Sequence, residues 1–547
     1  MDQPVPKSFF FTLRQVYLGE EADPAALRRR AARLLGCQPG DILSCSPVRR
    51  SRDARRRNQH PRLVYHLRLE MPLAWRDRLR QQTDLDIVIE PSHLPLFPHP
   101  GTPRPDPGKP RPLVVGAGPA GLLAALRLAQ AGWRPLLIER GDHLEKRRQV
   151  TARFWREGSL DPESNPLFGA GGAGLFSDGK LNTRHKDREG IQAVLGELVR
   201  AGAPEDILLD AQPHLGSDRL GEVVNNLLNR ICDLGGEILF RTRLSRLRGE
   251  KGRLLGVEWW GIQGQEEREV SYCILATGHS ARDVYSLLAH DHIELEAKPF
   301  AMGLRLEIPQ AAINASQSRR LGGGVCATFR LALPPLGNQD ACYSFCMCPG
   351  GMVIACASEP ECLAVNGMSL SARAGDWGNA AFLVPVQATD LAPFEPDPLA
   401  GLAFQRHWEG KNYQAGLAGG EYAIPASSLA DFMAGRAGEL PVRRGVSRAS
   451  ASNLRDLLPP RIGDTLAAAL PQLISRLRKV DPATAVLYGV ETRTSSPLRI
   501  RRDTQGASLS LSGLYPAGEG SGYAGGITTS ALDGWKAAGH LLLAHSH

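Results

Sequence analysis

Long apolar runs are absent from this sequence. Its most apolar stretch, Leu113 to Ala131, is broken by Gly116, Gly118 and Pro119 before its midpoint and also carries an arginine. A membrane-spanning helix needs about 20 predominantly apolar residues, so this stretch does not qualify. The start, MDQPVPKSFFFTLRQ, lacks the charged segment and apolar core of a secretory leader. The sequence therefore predicts a cytoplasmic protein without a membrane partner.

Several chemical signatures are missing as well. The ten cysteines never occur as C-x-x-C, and they are not spaced like the disulfide framework of a small secreted domain. The patterns H-E-x-x-H, G-x-S-x-G and Walker A do not occur. Their absence removes the usual evidence for a metalloprotease, an α/β-hydrolase or a P-loop nucleotidase.

Charge of neither sign is in large excess. The 65 basic and 57 acidic residues leave a net charge of +8 over 547 residues, which allows anionic small ligands but does not argue for nucleic acid. One predicted loop holds a cluster of basic residues that could bind phosphate or simply be solvated. They are Arg49, Arg50, Arg52, Arg55, Arg56 and Arg57. We expect a small-molecule substrate, anionic in character, rather than a nucleic acid.

Composition shifts divide the chain. At about 150 residues per domain, 547 residues correspond to three or four domains. Residues 1–95 show the pattern of a small α+β domain of ferredoxin-like type, and residues 96–111 form a proline-rich linker. Strands and helices alternate over 112–296 and resume over 451–547, which predicts an α/β domain in two parts. Short strand-like runs over 297–450 predict an inserted β-rich domain.

A dinucleotide-binding motif opens the α/β domain. An apolar strand runs into G-x-G-x-x-G, formed by Gly116, Gly118 and Gly121, and a helix that includes Ala120 follows. In this motif the first glycine permits a tight turn, the second lets the backbone approach a pyrophosphate, and the third lets helix and strand pack closely. The helix N-terminus then faces the phosphates. This predicts a Rossmann-like nucleotide site.

An acidic residue ends the second predicted strand of this domain. Glu139 lies 18 residues after Gly121 and is followed by Arg140. A carboxylate at this distance from the glycine motif can accept hydrogen bonds from ribose hydroxyls. It would repel a 2′-phosphate. We therefore assign Glu139 and Arg140 to the cofactor.

Two later segments resemble the FAD contacts of the large two-domain flavoprotein superfamily. One is a strand that breaks at Thr277 and Gly278, and the other is a strand with a glycine-rich turn before a helix. The resemblance implies that Glu519 holds the ribityl chain, although Asp is usual there, and that the following helix points its N-terminus at the flavin. The second segment supplies the residues Gly518, Glu519, Gly525, Gly526 and Ile527.

This pattern favours FAD as the bound cofactor. A second strand, G-x-G-x-x-G and helix unit is not found in the sequence, so a separate NAD(P)H domain is not predicted. NAD(P)H remains a candidate reductant.

Further strings are similar to those of a bacterial family of FAD-dependent dehydrogenases or oxidoreductases. They lie at 169–181, 276–283, 343–351, 365–369 and 490–497, and the resemblance spans almost the whole chain. It implies FAD but supplies no substrate. Members often carry G-E-G-G-A-G-T-F where this chain has Ala170 and Leu175 in place of the acid and the threonine.

The glycine-rich loop 169–174 is a third candidate contact with the cofactor. In related flavoproteins such a loop runs over the pyrophosphate towards the flavin, which implies roles for Gly172 and Gly174, while a flexible surface loop is the alternative. Lys180 is a candidate for tuning the flavin, with a plain salt bridge as the alternative. Arg493 is a candidate for a substrate carboxylate, because a guanidinium can hold one at two points.

Three cysteines form the last candidate group. Cys342, Cys346 and Cys348 are separated by even numbers, so an uninterrupted strand would place them on one face. They could be core residues, exchange electrons with the flavin, or bind zinc together with a histidine.

Together these patterns predict an FAD-dependent oxidoreductase that transfers hydride or electrons through flavin N5. Lys180, Arg493 and Cys348 are its candidate catalytic residues, and no metal is predicted. The alternatives are a flavin-dependent tRNA-modifying enzyme and a non-catalytic flavin-dependent regulator.

Overall fold

The computed structural model describes residues 8–18, 23–53, 62–89, 111–321, 326–337, 339–394, 398–440 and 447–544. The chain forms two compact units. Unit 1 comprises residues 1–99, 204–213 and 317–325, and unit 2 comprises the rest. Of the predicted linker, only Arg111 lies within the described residues.

Unit 1 contains a four-stranded antiparallel sheet with the order β2-β3-β1-β4. Its strands and helices, in chain order, are Ser8–Leu18 (β1), Pro24–Leu35 (α1), Ser44–Asp53 (β2), Arg62–Pro72 (β3), Arg76–Arg80 (α2) and Ile87–Ile89 (β4). The Asp23 side chain caps α1 by accepting from the Ala26 N–H at 2.5 Å, which satisfies a donor that a helix start leaves free. Helical spacing then buries Leu27, Ala31 and Leu35 against the sheet.

The arginine cluster of the sequence belongs partly to β2. The Arg50 guanidinium forms ion pairs with Asp210 at 2.8 Å and with Asp206 at 3.2 Å, both within unit 1. Residues 55–57 lie outside the described part of the chain.

Unit 2 holds the remaining described strands and helices. Its strands are Leu113–Val115 (β5), Leu136–Glu139 (β6), Glu237–Phe240 (β7), Arg243–Glu250 (β8), Arg253–Gly261 (β9), Gly264–Glu269 (β10), Cys273–Leu275 (β11), Leu295–Ala297 (β12), Ala301–Pro309 (β13), Ala332–Leu333 (β14), Cys342–Cys348 (β15), Met352–Cys356 (β16), Ala364–Met368 (β17), Trp377–Pro385 (β18), Ile424–Ser428 (β19), Ala449–Ala451 (β20), Val486–Glu491 (β21), Leu498–Ile500 (β22) and Leu514–Pro516 (β23). Its helices are Pro119–Gln130 (α3), Leu144–Glu157 (α4), Arg188–Arg200 (α5), Gly216–Asp233 (α6), Arg282–His290 (α7), Gln310–Leu321 (α8, whose last residues join unit 1), Ala388–Leu391 (α9), Ala400–Gly416 (α10), Leu429–Ala434 (α11), Pro460–Ser475 (α12) and Ile527–Ala544 (α13).

A five-stranded parallel sheet with the order β23-β11-β5-β6-β7 organises the nucleotide-binding part. Parallel strands end at the same edge, and ligands of open α/β sheets bind at that edge. The motifs at Gly116, Thr277 and Gly518 follow the ends of three of these strands, and Glu139 is the last residue of a fourth. The sheet therefore brings four segments together that are far apart in the sequence, and the predicted α/β class is confirmed.

A seven-stranded sheet with the order β14-β15-β18-β13-β21-β19-β20 forms the β-rich part. It extends beyond residue 450, because β21 lies in it between β13 and β19. The segment from 451 onwards thus contributes to both sheets: β21 joins the seven-stranded sheet, whereas β23 joins the parallel sheet.

The two helices beside the parallel sheet approach each other closely. A Cβ added at Gly534 of α13 would lie 2.0 Å from the Ala120 carbonyl oxygen of α3, so only glycine allows this contact. The contact holds the interior of α13 against the first turn of α3. Within the described residues, no helix has both the length and the apolar character needed to cross a membrane.

Candidate functional site

A cavity opens at the carboxyl edge of the parallel sheet, within unit 2. Most residues that the sequence assigned to the cofactor line it, and only Gly121 and Gly525 do not. The lining residues are Gly116, Gly118, Ala120, Glu139, Arg140, Gly172, Gly174, Thr277, Gly278, Gly518, Glu519, Gly526 and Ile527. The candidate catalytic residues Lys180, Arg493 and Cys348 line the same cavity.

The glycine motif has the geometry that its spacing predicts. Gly116 has φ +103°, and a Cβ there would lie 2.5 Å from the Ala276 carbonyl oxygen. A Cβ at Gly121 would lie 1.8 Å from the Gly116 carbonyl oxygen. The turn and the start of α3 can therefore pack this closely only with glycine at both positions.

Glu139 is buried at the end of β6, and its carboxylate joins three loops. Oε2 accepts the Ala117 N–H at 2.7 Å, and Oε1 accepts the N–H groups of Gly141 and Gly169, each at 2.9 Å. An ionised carboxylate offers about four acceptor sites, so one remains for a ribose hydroxyl. The structure thus gives Glu139 a role in shaping the site, in addition to the predicted contact with the cofactor.

Several glycines leave space along the cavity wall. An added Cβ would meet no atom within 4 Å at Gly278 or Gly526, and at Gly118 it would meet only the Gly172 Cα, at 3.8 Å. These positions lie after β11, before α13 and at the start of α3. The cradle they form, with Glu139 at one end and a helix N-terminus at the other, fits an extended dinucleotide such as FAD.

Glu519 lies in this wall with its carboxylate close to the N-terminus of α13. Burial raises the pKa of Glu519 to about 7, while the Lys298 charge and the Gly526 N–H act in the opposite direction. His279 Nδ1 lies 3.8 Å from Glu519 Oε1. Burial and the charges of Arg493 and Arg282 lower the pKa of His279 to about 4, so the imidazole is neutral at pH 7 and does not stabilise the carboxylate as a cation.

We expect Glu519→Gln to remove part of the pH dependence of stability in the apoprotein. An acid whose folded pKa lies above its unfolded value stabilises the fold below the unfolded pKa, and this contribution is lost as the pH rises through about 7. The thermal midpoint of the wild type should therefore fall relative to that of the variant between pH 5 and pH 8, by an amount equivalent to at most ~3 kcal/mol. If the thermal midpoints of the wild type and the variant changed equally with pH across this range, the raised pKa of Glu519 would be contradicted.

Arg140 lies at the nucleotide end of the cavity and is largely engaged by protein groups. Its Nε donates to Glu163 at 2.9 Å and its Nη1 donates to Asp283 at 3.0 Å. The guanidinium also lies 4.2 Å from the centre of the Phe168 ring. The structure places Arg140 at the site as a rigid part of its wall.

Lys180 contacts the backbone and a shared carboxylate. Its Nζ donates to the Met347 carbonyl oxygen and lies 3.4 Å from Asp178 Oδ2. The same buried carboxylate accepts two hydrogen bonds from Arg373. Two cations thus share one anion, and the cluster has a net charge of +1. Asp178 and Lys180 line the cavity, whereas Arg373 lies behind them.

Arg493 is held by protein groups rather than free for substrate. Its Nε and Nη2 donate to the two oxygens of Glu409 at 3.0 and 2.7 Å, and its Nη1 donates to Ser358 at 2.7 Å. The fork that would bind a substrate carboxylate at two points is therefore used by Glu409. The structure gives Arg493 a supporting role in the wall in place of the predicted one.

The three cysteines of β15 do not share one face, contrary to the prediction. The register of β15 against β18 pairs Tyr343 with Leu383 but Cys348 with Asn379, because a bulge intervenes after Phe345. The extra residue reverses the alternation, so Cys348 lies on the face of Tyr343 and Cys342 lies on the opposite one. Cys346, in the bulge, has φ +42°.

Cys346 and Cys348 both line the cavity, but they differ in exposure. Cys348 is buried, and burial raises its pKa against the opposing charges of Lys180 and Arg305. Cys346 is exposed. A thiolate is the reactive form, so the structure favours a non-nucleophilic role for Cys348. All cysteines are free, and the described residues contain no group of three or more ligands suited to a metal.

The sequence reasoning missed a buried ion pair beside the cavity. Arg305 of β13 donates to both oxygens of Glu491, at 2.6 and 3.0 Å, and also donates to Asn379 at 2.7 Å. Glu491 lines the cavity. The sequence feature that indicates this ion pair is the arginine inside the apolar strand AMGLRLEIP, because a charged residue in a buried strand requires a buried partner.

Comparison with known sequences identifies the class. Residues 112–320 match the family described as FAD dependent oxidoreductase, and residues 299–494 match the family described as FAD-dependent protein, C-terminal domain-like. Residues 14–70 match a domain of unknown function. Fold, cavity and these matches define an FAD-dependent flavoprotein.

The chain belongs to the FAD-dependent oxidoreductase family, and it is an FAD-dependent oxidoreductase enzyme. An uncharacterized protein of Clostridium beijerinckii is 40% identical over 441 residues, which cover 79% of this chain and 81% of that protein. The thiamine thiazole synthase of Aeropyrum pernix is 29% identical over 180 residues, which cover 31% of this chain and 54% of the synthase.

Solved flavoprotein structures are more distant. A flavin-dependent brominase has a TM-score of 0.35 at 11% identity, covering 80% of this chain and 81% of its own. The glycerol-3-phosphate dehydrogenase of Bacillus halodurans, solved with FAD, has a TM-score of 0.34 at 11% identity, covering 80% of this chain and 64% of its own.

Proposed function

We propose that this enzyme transfers hydride or electrons between flavin N5 and a small-molecule substrate. The supporting observation is the continuity of the cavity. Glu139 and Gly118 line it on the side of the parallel sheet, whereas Phe345, Asn366 and Glu491 line it on the side of the β-rich part. FAD supplies the redox chemistry when bound, and the protein supplies orientation and electrostatics.

The domain arrangement is part of this proposal. The β-rich region lies in the chain between the segments that form the parallel sheet, and its role is to shape the substrate end of the cavity. The strand order of unit 1, β2-β3-β1-β4 with a helix after β1 and another after β3, supports a ferredoxin-like domain. We further propose NAD(P)H as the reductant.

The visible absorption spectrum of the purified protein tests the proposal. We expect two flavin bands that bleach when NADH or NADPH is added without oxygen. The bands could instead persist with both nucleotides but bleach with an organic substrate. That result would support the transfer reaction and would exclude NAD(P)H as the reductant. Bound flavin that neither nucleotides, candidate substrates nor other organic donors reduce would contradict the proposed reaction.

The charge cluster around Lys180 supports an anionic substrate. Glu491 is neutralised by Arg305, and Arg493 is paired with Glu409. Lys180 shares the single Asp178 carboxylate with Arg373, so part of its charge is uncompensated. We therefore propose Lys180, rather than Arg493, as the group that binds a carboxylate of the substrate.

Lys180→Met should weaken carboxylate binding about tenfold or more, because a hydrogen bond to a charged group contributes about 1.5–3 kcal/mol. The measurement is the change in flavin absorption on titration with benzoate. Benzamide has no charge, so its affinity should change by no more than about twofold. Lys186→Met, at an exposed position, is the control, and equal loss of both ligands in Lys180→Met would exclude a charge effect.

A further inference from the structure

Arg147 of α4 is a fully buried cation dedicated to the glycine-rich loop. Its side chain is 0% exposed, and every hydrogen bond it makes is to a backbone carbonyl oxygen of residues 165–172. The acceptors are Asn165 at 3.1 Å, Pro166 at 3.0 Å, Gly169 at 3.3 Å, Ala170 at 2.7 Å and Gly172 at 2.9 Å. One side chain therefore determines where these carbonyl groups point.

Carbonyl dipoles, and not a carboxylate, surround this charge. Among the residues that the structure describes, no acidic oxygen lies within 4 Å of the guanidinium, and the Phe176 ring packs 5.0 Å from it. Burial lowers the pKa of Arg147, and the charge of Glu139 opposes this from a greater distance. A buried cation without an ion-pair partner is costly, so an anionic ligand close by would offset that cost.

The loop lies between Arg147 and the dinucleotide turn. A Cβ at Gly169 would lie 2.4 Å from Arg147 Cδ, and a Cβ at Gly172 would lie 3.0 Å from Gly118 Cα. The Gly171 N–H donates to the Ala117 carbonyl oxygen at 2.8 Å. Guanidinium, loop and turn therefore form three successive layers in contact.

The loop itself has few free amide donors in this stretch. The N–H groups of Gly169, Ala170, Gly171 and Gly172 donate to Glu139, Asp142, Ala117 and Gly169, respectively. These four N–H groups are therefore not available to donate to a phosphate. Positive potential at this wall therefore comes from beyond these four amides: the N-terminus of α3 contributes one part, and the buried Arg147 behind the loop contributes another.

We propose that Arg147 is a positioning residue for the pyrophosphate of FAD. It fixes the 169–172 segment, which lines the cavity through Gly169 and Gly172, and its charge acts on the phosphates across one layer of backbone. Such a charge is weakly screened in a protein interior. This inference rests on FAD binding and is independent of the proposed substrate.

The test compares ligands with and without a pyrophosphate. Affinities of the apoprotein for FAD, ADP and adenosine are measured by fluorescence quenching and by displacement of FAD. Arg147→Met should weaken FAD and ADP binding at least about tenfold, while adenosine changes by no more than about twofold. Arg147→Lys keeps the charge and should recover ADP binding to within about threefold of the wild type.

Arg127→Met is the matched control. Arg127 is half-buried, donates to the Trp535 carbonyl oxygen at 2.6 Å and packs on the Trp535 ring, but it does not line the cavity. The Arg127→Met substitution should lower the thermal midpoint of the protein without changing the ratio of its ADP affinity to its adenosine affinity. Arg147→Met with an unchanged ratio would overturn the proposal. If that variant does not fold, a tenfold loss of ADP affinity in Arg147→Lys would overturn the charge argument instead.

Discussion

Glu139→Gln is expected to abolish retention of FAD during purification. The wild-type carboxylate accepts three backbone N–H groups, from Ala117, Gly141 and Gly169. A glutamine has one oxygen and an NH₂ group, so at least one of these buried donors would face another donor. Each hydrogen bond to a charged group contributes about 1.5–3 kcal/mol, and the loops that they hold form the nucleotide end of the cavity.

The expected increase in the dissociation constant for FAD is at least about 100-fold, which corresponds to the loss of about 3 kcal/mol. Flavin content after purification and fluorescence titration of the apoprotein measure it. Glu145→Gln, at an exposed position of α4, provides a control for the loss of one negative charge. If Glu139→Gln bound FAD with wild-type affinity, neither the position of the three loop amides nor the binding of the ribose would depend on the carboxylate.

Glu409→Gln is expected to cause the largest loss of stability. Glu409 of α10 is 0% exposed and is bound by two arginines, Arg282 and Arg493, through four hydrogen bonds of 2.7–3.0 Å. Thr492 Oγ1 donates a further one at 2.6 Å. Removing one member of a buried ion pair costs about 3–5 kcal/mol, because the opposite charge stays buried without its partner.

The pH dependence gives this prediction a second measurement. The two arginine charges, against burial, lower the pKa of Glu409 below its usual value. An acid with a lowered folded pKa stabilises the fold above its unfolded pKa, and this contribution is lost as the pH falls towards the folded value. The difference in thermal midpoint between wild type and Glu409→Gln should therefore be large at pH 7 and shrink below about pH 4.

The control for this measurement is Glu189→Gln, at an exposed position of α5. A surface change of this kind should alter stability by less than about 0.5 kcal/mol. A Glu409→Gln protein as stable as the wild type at pH 7 would mean that the arginines find other partners. Arg282 already contacts Glu359 at 2.7 Å, so the variant measures how much that one carboxylate can offset.

Local sequence patterns predicted much of the nucleotide-binding part, because each pattern depends on contacts between residues that are close in the sequence. Gly116, Gly118 and Gly121 act within one turn, and Glu139 ends a strand at the spacing that a βαβ unit requires. The strand ends at Thr277 and Gly518 come together because parallel strands share an edge. Their meeting at one cavity thus followed from the sequence once the strands were assigned to the same sheet.

The predictions about single side chains depended on local strand geometry and on long-range contacts, and the spacing of residues along the sequence specifies neither. The even separation of Cys342, Cys346 and Cys348 assumed an uninterrupted strand, and one bulge reversed the alternation. Arg493 had the right chemistry for a substrate carboxylate, but Glu409, 84 residues away in the sequence, occupies its guanidinium. Neither outcome is visible in a local window of the chain.

By itself, the sequence determined the α/β class, the nucleotide site and FAD, because glycine turns, strand ends and an acidic residue at fixed spacing leave few other folds. Only the tertiary structure decided which charges remain free in the cavity. Arg305 is neutralised by Glu491 and Arg493 by Glu409, whereas Lys180 shares Asp178 with Arg373. The physical reason is that a buried charge selects its partner by distance in space, which the order of residues along the chain does not specify.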